Sequence, residues 1–249
     1  MSDAAGQRLQ KALAHLGLAS RREVEGWIRA GRLTVNGQPA TLGMRVIAAD
    51  KVRLDGRLVR QRVGTAIKVF VVHRSPGVEM RELLLTLPRS GGRRFVAVSP
   101  MPAIDGGLEL VSSDGETAER LQRGVRRLVM DFSIRVHGEL SPEGVARVLQ
   151  GTLDQGSVTV RSCDAAGGEG SNRWYNLVAV GASGKEIRQL FERQGAMVSR
   201  VLRTRLGPVT LDRSLPRGRS RLLGEEEATA LMAALTATAA TAVPGDAPE

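Results

Sequence analysis

The feature that most constrains the fold of this chain is the spacing of capping and turn signals in its N-terminal stretch. Ser20-Arg21-Arg22-Glu23 has the form of a capping box, in which the serine and the glutamate satisfy each other's free backbone amides. It opens a predicted helix whose Val24, Trp27 and Ile28 share one face and which stops at Gly31. Upstream, Leu9, Leu13 and Leu16 fall at helical spacing and Gly17 closes the segment. Downstream, Leu33 and Val35 alternate with polar residues before Asn36-Gly37, while Val52 and Leu54 precede Asp55-Gly56 and Leu58 follows it. Asn-Gly and Asp-Gly are the pairs that two-residue hairpins favour, because both positions need positive φ. The pattern predicts two short helices packed on a few strands, a unit placed at residues 6–62, with Trp27 in its core.

Charge adds a functional constraint. Of 249 residues, 36 are basic and 26 acidic, a net charge of +10, and only Lys11, Lys51, Lys68 and Lys185 are lysines. Arginine suits bidentate phosphate contacts and stacking on bases. Residues 1–62 carry 12 basic against 5 acidic residues, and residues 200–221 carry 7 arginines against Asp212 alone. These two stretches, at +7 and +6, hold more than the whole net charge, a distribution expected of a nucleic-acid footprint. The single cysteine, Cys163, excludes an internal disulfide framework and a multi-cysteine zinc site. His15, His73 and His137 are scattered without metal-ligand spacing, so no metal is expected. No apolar run resembles a signal peptide or approaches the roughly 20 residues of a membrane span, which points to a cytoplasmic protein with no membrane partner.

After a linker around Arg62-Val63-Gly64-Thr65, the apolar run Lys68–His73 reads as a buried strand. Further strands are expected at Arg94–Val98, Leu108–Val111, Asp131–Val136, near Val158–Arg161 and at Trp174–Val180. Helical patterns lie at Glu116–Leu121, Pro142–Leu149, Lys185–Gln194 and from Glu225 to about Leu235. Strands interleaved with helices imply an α+β domain with a largely antiparallel sheet, placed at residues 68–235, and the Ala/Thr/Pro-rich residues 236–249 are expected to be disordered.

The run Arg8-Leu9-Gln10-Lys11-Ala12-Leu13, then Ser20-Arg21-Arg22-Glu23, then Gly31-Arg32-Leu33-Thr34-Val35-Asn36-Gly37 closely resembles the αL RNA-binding domain of the small-subunit ribosomal protein S-four and its relatives. That resemblance implies binding of structured RNA by shape and backbone, and it makes Arg8, Lys11, Ser20, Arg21, Arg22 and Arg32 candidate RNA contacts. Farther on stand Pro76-Gly77, Ser113-Asp114-Gly115-Glu116, Trp174-Tyr175-Asn176, Lys185-Glu186-Ile187-Arg188-Gln189-Leu190 and Leu202-Arg203-Thr204-Arg205-Leu206-Gly207. In their order they resemble the bacterial RsuA/RluB family of ribosomal RNA pseudouridine synthases, and Arg203 and Arg205 join the candidate RNA contacts.

Members of that family isomerise uridine to pseudouridine without a cofactor. The base is flipped out, its glycosidic bond is cleaved, and the uracil turns and is rejoined through carbon. A single aspartate acts on the sugar, by covalent attack or proton transfer. In the family this residue closes a Gly-Arg-Leu-Asp sequence five residues before a Gly-Leu pair. Here Gly107-Leu108 stands at that offset from Ser99-Pro100-Met101-Pro102, so Pro102 occupies the aspartate position. Proline has no nucleophile and no proton to transfer. The tyrosine position reads Phe132, and the arginine that pairs with the catalytic aspartate matches Arg188, so these two are expected to line the former active-site cleft. Asp105, three residues downstream in a Gly-rich turn, is the candidate substitute, whereas Asp114 reads as turn chemistry. The resemblance, with Pro102 at the aspartate position, therefore implies binding of ribosomal RNA or a ribosomal precursor particle with isomerase activity lost or strongly reduced; nothing in the sequence indicates other than a monomer. Two alternatives stay open: an active synthase using Asp105, and a ribosome-assembly factor or RNA chaperone.

Overall fold

A computed structural model describes residues 6–16, 18–47, 49–59, 69–88 and 95–237. They group into two compact units, one built on the stretch up to Val59 and the other beginning at Val69, with residues 88, 95–96 and 112–117 grouping with the first.

The N-terminal elements are β1 (Gln7–Arg8), α1 (Leu9–His15), α2 (Arg21–Arg29), β2 (Leu33–Val35), β3 (Gln38–Pro39), β4 (Arg45–Val46), β5 (Val52–Leu54) and β6 (Arg57–Leu58). Strand β1 pairs with β4, and the other four form a sheet in the order β3-β2-β5-β6. The capping box forms as expected: the Glu23 amide donates to Ser20 Oγ and the Ser20 amide to the Glu23 carboxylate, at 3.2 and 2.7 Å. Both hairpin turns take the positive-φ pair, with φ of 52° and 87° at Asn36-Gly37 and 49° and 76° at Asp55-Gly56. The core collects Leu9, Leu13, Val24, Ile28, Leu33, Val35 and Val52. Trp27 departs from expectation. It is only partly buried, and the Arg32 guanidinium lies 5.6 Å over its ring. Position 27 lies one residue before Ile28, so the indole sits at the border of the buried stripe rather than inside it. Gly17 and the Arg62–Thr65 linker lie outside the described residues.

The second unit is built on β7 (Val69–Arg74), α3 (Met80–Thr86), β8 (Val96–Ala97), β9 (Gly106–Ser112), α4 (Gly115–Gly124), β10 (Val129–His137), α5 (Pro142–Leu149), β11 (Thr159–Ala165), β12 (Asn172–Val180), α6 (Gly184–Glu192), β13 (Met197–Leu206), β14 (Val209–Thr210), β15 (Ser220–Leu222) and α7 (Glu225–Ala237). The main sheet runs β11-β12-β10-β13-β9-β7-β15. The pairs β11–β12, β12–β10, β10–β13 and β7–β15 are antiparallel, whereas β13 and β9 run parallel through Leu202–Gly106 and Arg203–Gly107. Helix α7 carries through Thr236 to Ala237, so those two residues are helical rather than part of a disordered tail, and residues 238–249 lie outside the description. Helix α3 and strands β13–β15 have no counterpart in the expected elements. Strand β13 was masked in the sequence by its arginines, which break the apolar alternation of a strand.

Strand β9 is buried along its whole length, yet its centre is Glu109. Two arginines answer it. Arg74 Nε donates to Glu109 Oε1 at 2.9 Å and Arg203 Nη2 to Oε2 at 2.8 Å, and all three side chains are at most 1% exposed. Burial pushes the Glu109 carboxyl up and the two guanidinium groups pull the other way. The arginines spend their remaining donors on backbone carbonyls. Arg74 Nη1 holds Val78 O, and its Nη2 holds Met101 O and Pro102 O, while Arg203 holds Leu108 O and Ser99 O. The Met101 amide closes the set by donating to Glu109 Oε1 at 3.0 Å. This cluster fixes residues 99–102 against the sheet. The parallel pairing beside it depends on Gly107, whose φ is +92° and where a Cβ would lie 2.3 Å from the Arg203 carbonyl oxygen.

Glu109→Gln, which leaves two buried guanidinium groups without a counter-charge, is expected to cost about 3–5 kcal/mol in denaturant unfolding. Gly107→Ala combines a left-handed backbone with overpacking, and a loss of at least about 2 kcal/mol is expected in the same assay. For the half-buried Trp27, replacement by Ala should cost less than the roughly 3–5 kcal/mol of a full core position, read as a melting temperature above that of the Glu109 variant.

Candidate functional site

The segment between β8 and β9 carries the position where the resemblance places the catalytic aspartate. It leaves the sheet after Val98, whose amide donates to Leu110 O, and its backbone is then gripped by Arg203 at Ser99, by Glu109 at Met101 and by Arg74 at Met101 and Pro102. Pro102 itself is half-buried. Its ring and the Met101 side chain lie against the start of α6, where a Cβ on Gly184 would come within 2.5 Å of Met101 Cε and 2.9 Å of Pro102 Cδ. The capping box of Ser183 and Glu186 starts α6 at this contact and so sets where the helix delivers Arg188.

Arg188 meets Asp105. Its Nη2 donates to Asp105 Oδ1 at 2.5 Å, its Nη1 donates to Val198 O at 2.6 Å, and the Val201 amide also donates to Asp105 Oδ1, at 2.9 Å. Asp105 is 0% exposed, whereas the neighbouring Ile104 is 57% exposed. A chain that turns its carboxylate inward and its isoleucine outward is governed here by the ion pair rather than by apolar burial. Two atoms of the pair are buried without a hydrogen-bond partner, Asp105 Oδ2 and Arg188 Nε.

The other expected cleft residue lies elsewhere. Phe132 is 1% exposed and belongs to the same core cluster as Ile187, Leu190 and Phe191 of α6, so its ring does not line an open cleft. It alternates with Met130, Ile134 and Val136 on the inward face of β10, and that face is packed.

Of the expected RNA contacts, Arg203 is corrected: it is fully buried, with burial lowering its pKa and its donors committed to Glu109 and to carbonyls. Arg205 is about one third exposed and forms a bidentate pair with Asp131 at 2.6 and 2.7 Å, which raises its pKa and answers its charge locally. Arg221 is likewise held by Glu227 at 2.6 and 2.7 Å. The positive charge expected across residues 200–221 is thus partly internal. In the first unit Arg8, Lys11, Arg21 and Arg22 are exposed, the last two on the first turn of the helix that Ser20 caps. Arg32 is exposed but tied to Asp55, with Nε to Oδ1 at 2.9 Å, and this hydrogen bond raises its pKa and lowers that of Asp55. Asp114 accepts from the Thr117 amide at 2.8 Å at the start of α4, the turn role expected of it.

Sequence reasoning missed the Arg74–Glu109–Arg203 cluster. Its signal was a single glutamate inside the apolar run Leu108-Glu109-Leu110-Val111, which a fully buried strand tolerates only with cationic partners. Among the described residues no cluster of His, Cys, Asp and Glu could hold a metal ion, and no helix is long and apolar enough to cross a membrane.

Residues 7–52 match the model of the S4 domain. The ribosomal large subunit pseudouridine synthase B of Pseudomonas aeruginosa is 36% identical over 234 residues, which cover 89% of this chain and 61% of that protein, so the chain spans less than two thirds of that relative's length. The protein of the same name from Salmonella typhi is 35% identical over 225 residues, covering 85% of this chain and 77% of that one. A crystal structure of a pseudouridylate synthase shares the fold, with a TM-score of 0.61 at 17% identity over 91% of this chain and all of the other. With an S4 domain at its N-terminus and about 35% identity along most of its length, the chain belongs to the family of ribosomal large subunit pseudouridine synthases of the RluB/RsuA type.

Proposed function

We propose that this chain binds structured ribosomal RNA, in mature or precursor particles, as a pseudouridine synthase relative whose isomerase activity is lost or strongly reduced. The observation that carries this reading is the loop at 99–105. Position 102 offers a proline, and the carboxylate nearest to it in sequence, Asp105, is wholly buried with Oδ1 engaged by Arg188 and by the Val201 amide. A carboxylate that attacks a sugar or moves its proton has to reach the nucleotide, and this one is enclosed. Binding is supported separately by the exposed Arg8, Lys11, Arg21 and Arg22 of the S4 domain, set around helix starts where backbone amides assist phosphate contact.

One observation favours a second reading, an active enzyme with a displaced carboxylate. Asp105 is held by Arg188, the arginine that the family resemblance pairs with the catalytic aspartate, and Asp105 Oδ2 has no hydrogen-bond partner. A small outward movement of the loop would present that oxygen.

The experiment is a pseudouridine assay on large-subunit ribosomal RNA incubated with the purified chain, beside a binding titration across salt concentrations. Binding that weakens steeply with salt and no pseudouridine are expected. Arg21→Glu with Arg22→Glu should weaken binding to all structured RNA and flatten the salt slope by about 2. Pseudouridine formation that disappears in Asp105→Asn would replace the first reading with the second. A chain that binds no RNA at any salt would sink both.

A further inference from the structure

One face of the main sheet is not packed. Along β10, Met130, Phe132, Ile134 and Val136 are buried to 1% or less, whereas the alternating Asp131, Ser133 and Arg135 are half-exposed and His137 is exposed. Strand β12 repeats the pattern, with Tyr175, Leu177 and Ala179 buried and Trp174, Asn176 and Val178 on the other side. The pairing register places Trp174 of β12 directly opposite Arg135, and Arg135 directly opposite Arg200 of β13. Residues directly opposite in antiparallel strands share a face, with Cβ atoms about 5 Å apart. Trp174, Arg135 and Arg200 therefore form a row across three strands, on the face turned away from the core. Asn176 and Ser133 make up the next row.

The charge of this row is unanswered. Arg135 and Arg200 are like charges facing each other across a strand pair, an unfavourable arrangement unless an anion is shared. Neither guanidinium has a side-chain hydrogen bond or ion pair among the described residues. The acids of the same face are engaged or distant: Asp131, four residues from Arg135 on the same strand, is taken by Arg205, and Asp164 of β11 lies opposite Asn176, one row off and two strands from Arg135. The indole of Trp174 likewise has no ring partner and no cation over it among the described residues, in contrast to Trp27, which Arg32 covers.

From this juxtaposition we propose that the open sheet face is a second RNA contact, distinct from the S4 domain, which takes an unpaired nucleotide. Its base stacks on Trp174 and its flanking phosphates lie on Arg135 and Arg200. The proposal rests on the RNA-binding reading above and adds to it the kind of RNA that this unit recognises. A flat indole beside two free guanidinium groups matches the combination that single-stranded nucleic acid uses, a stacking platform and a track for the backbone, and every base has a face to stack. A duplex, whose bases are already stacked on each other, could use only the arginines. Protein surfaces offer a weaker match, because two unpaired arginines facing each other call for a dense anionic partner, and the chain as a whole carries +10.

The test uses the full chain and a large-subunit ribosomal RNA transcript, with binding titrated from low to high salt. The double variant Arg135→Gln with Arg200→Gln should lower the salt slope by about 1.4, the value for two single-strand phosphate contacts, and weaken binding at least tenfold. Trp174→Leu should weaken it about tenfold, while Trp174→Phe keeps most of the affinity because a ring remains. Fluorescence quenching on RNA addition should be larger in the wild type than in Trp174→Phe. Melting temperatures of the glutamine variants should match the wild type, since neither guanidinium has a partner among the described residues and glutamine keeps part of the aliphatic stem that packs on the sheet. If the wild type binds RNA but the glutamine double variant keeps its affinity and slope, the sheet face is a protein-facing or merely solvated surface, and this proposal falls while RNA binding through the S4 domain stands. If the wild type binds no RNA, both fall.

Discussion

The buried cluster of Arg74, Glu109 and Arg203 is the interaction on which the second unit depends. A carboxylate in the centre of a wholly buried strand is costly by itself, and two guanidinium groups in the same place are no cheaper. Together they leave one excess positive charge, and the carbonyl oxygens of Val78, Ser99, Met101, Pro102 and Leu108 absorb it as hydrogen-bond acceptors. The cost of burying the cluster thus enforces a loop conformation. Ser99, Met101 and Pro102 present their carbonyls inward to those donors.

This arrangement bears directly on position 102. Each buried or half-buried arginine around the loop already has a counter-charge: Glu109 serves Arg74 and Arg203, and Asp105 serves Arg188. None of them requires an acid at position 102, and the proline there contributes what a proline can, a carbonyl to Arg74 and a ring against Gly184. The electrostatics of the loop are complete with a proline at position 102. That self-sufficiency is the physical content of the proposal that the chain binds RNA without efficient isomerisation.

Much of the fold was legible because it rests on local rules. The capping box at Ser20, the positive-φ turns at Asn36-Gly37 and Asp55-Gly56, the proline-led helix at Pro142–Leu149 and the alternating strand around Phe132 all formed where their residues pointed. The candidate site was legible in its membership but not in its geometry. Asp105 and Arg188 were both recognisable, yet their contact joins residues 83 positions apart. Phe132 was misplaced because alternation along a strand says which residues share a face but not which face the rest of the chain will cover, and Arg203 because a run of positive charge does not say which of its members meet a buried acid.

By itself, the sequence determined the order of elements, the basic character of the N-terminal domain, the family and the absence of an aspartate at position 102, since each is a property of residue type and spacing along the chain. The tertiary structure alone decided which arginines are ligands of the protein and which are free for RNA. Arg203 and Arg205 stand two residues apart, one fully buried on Glu109 and the other paired with Asp131 at the surface, while Arg200 has no such partner. Sheet register makes that choice. It brings acids from distant strands within hydrogen-bond reach of some guanidinium groups and not of others, and the free energy of a charge depends on whether a counter-charge meets it more than on the charge itself.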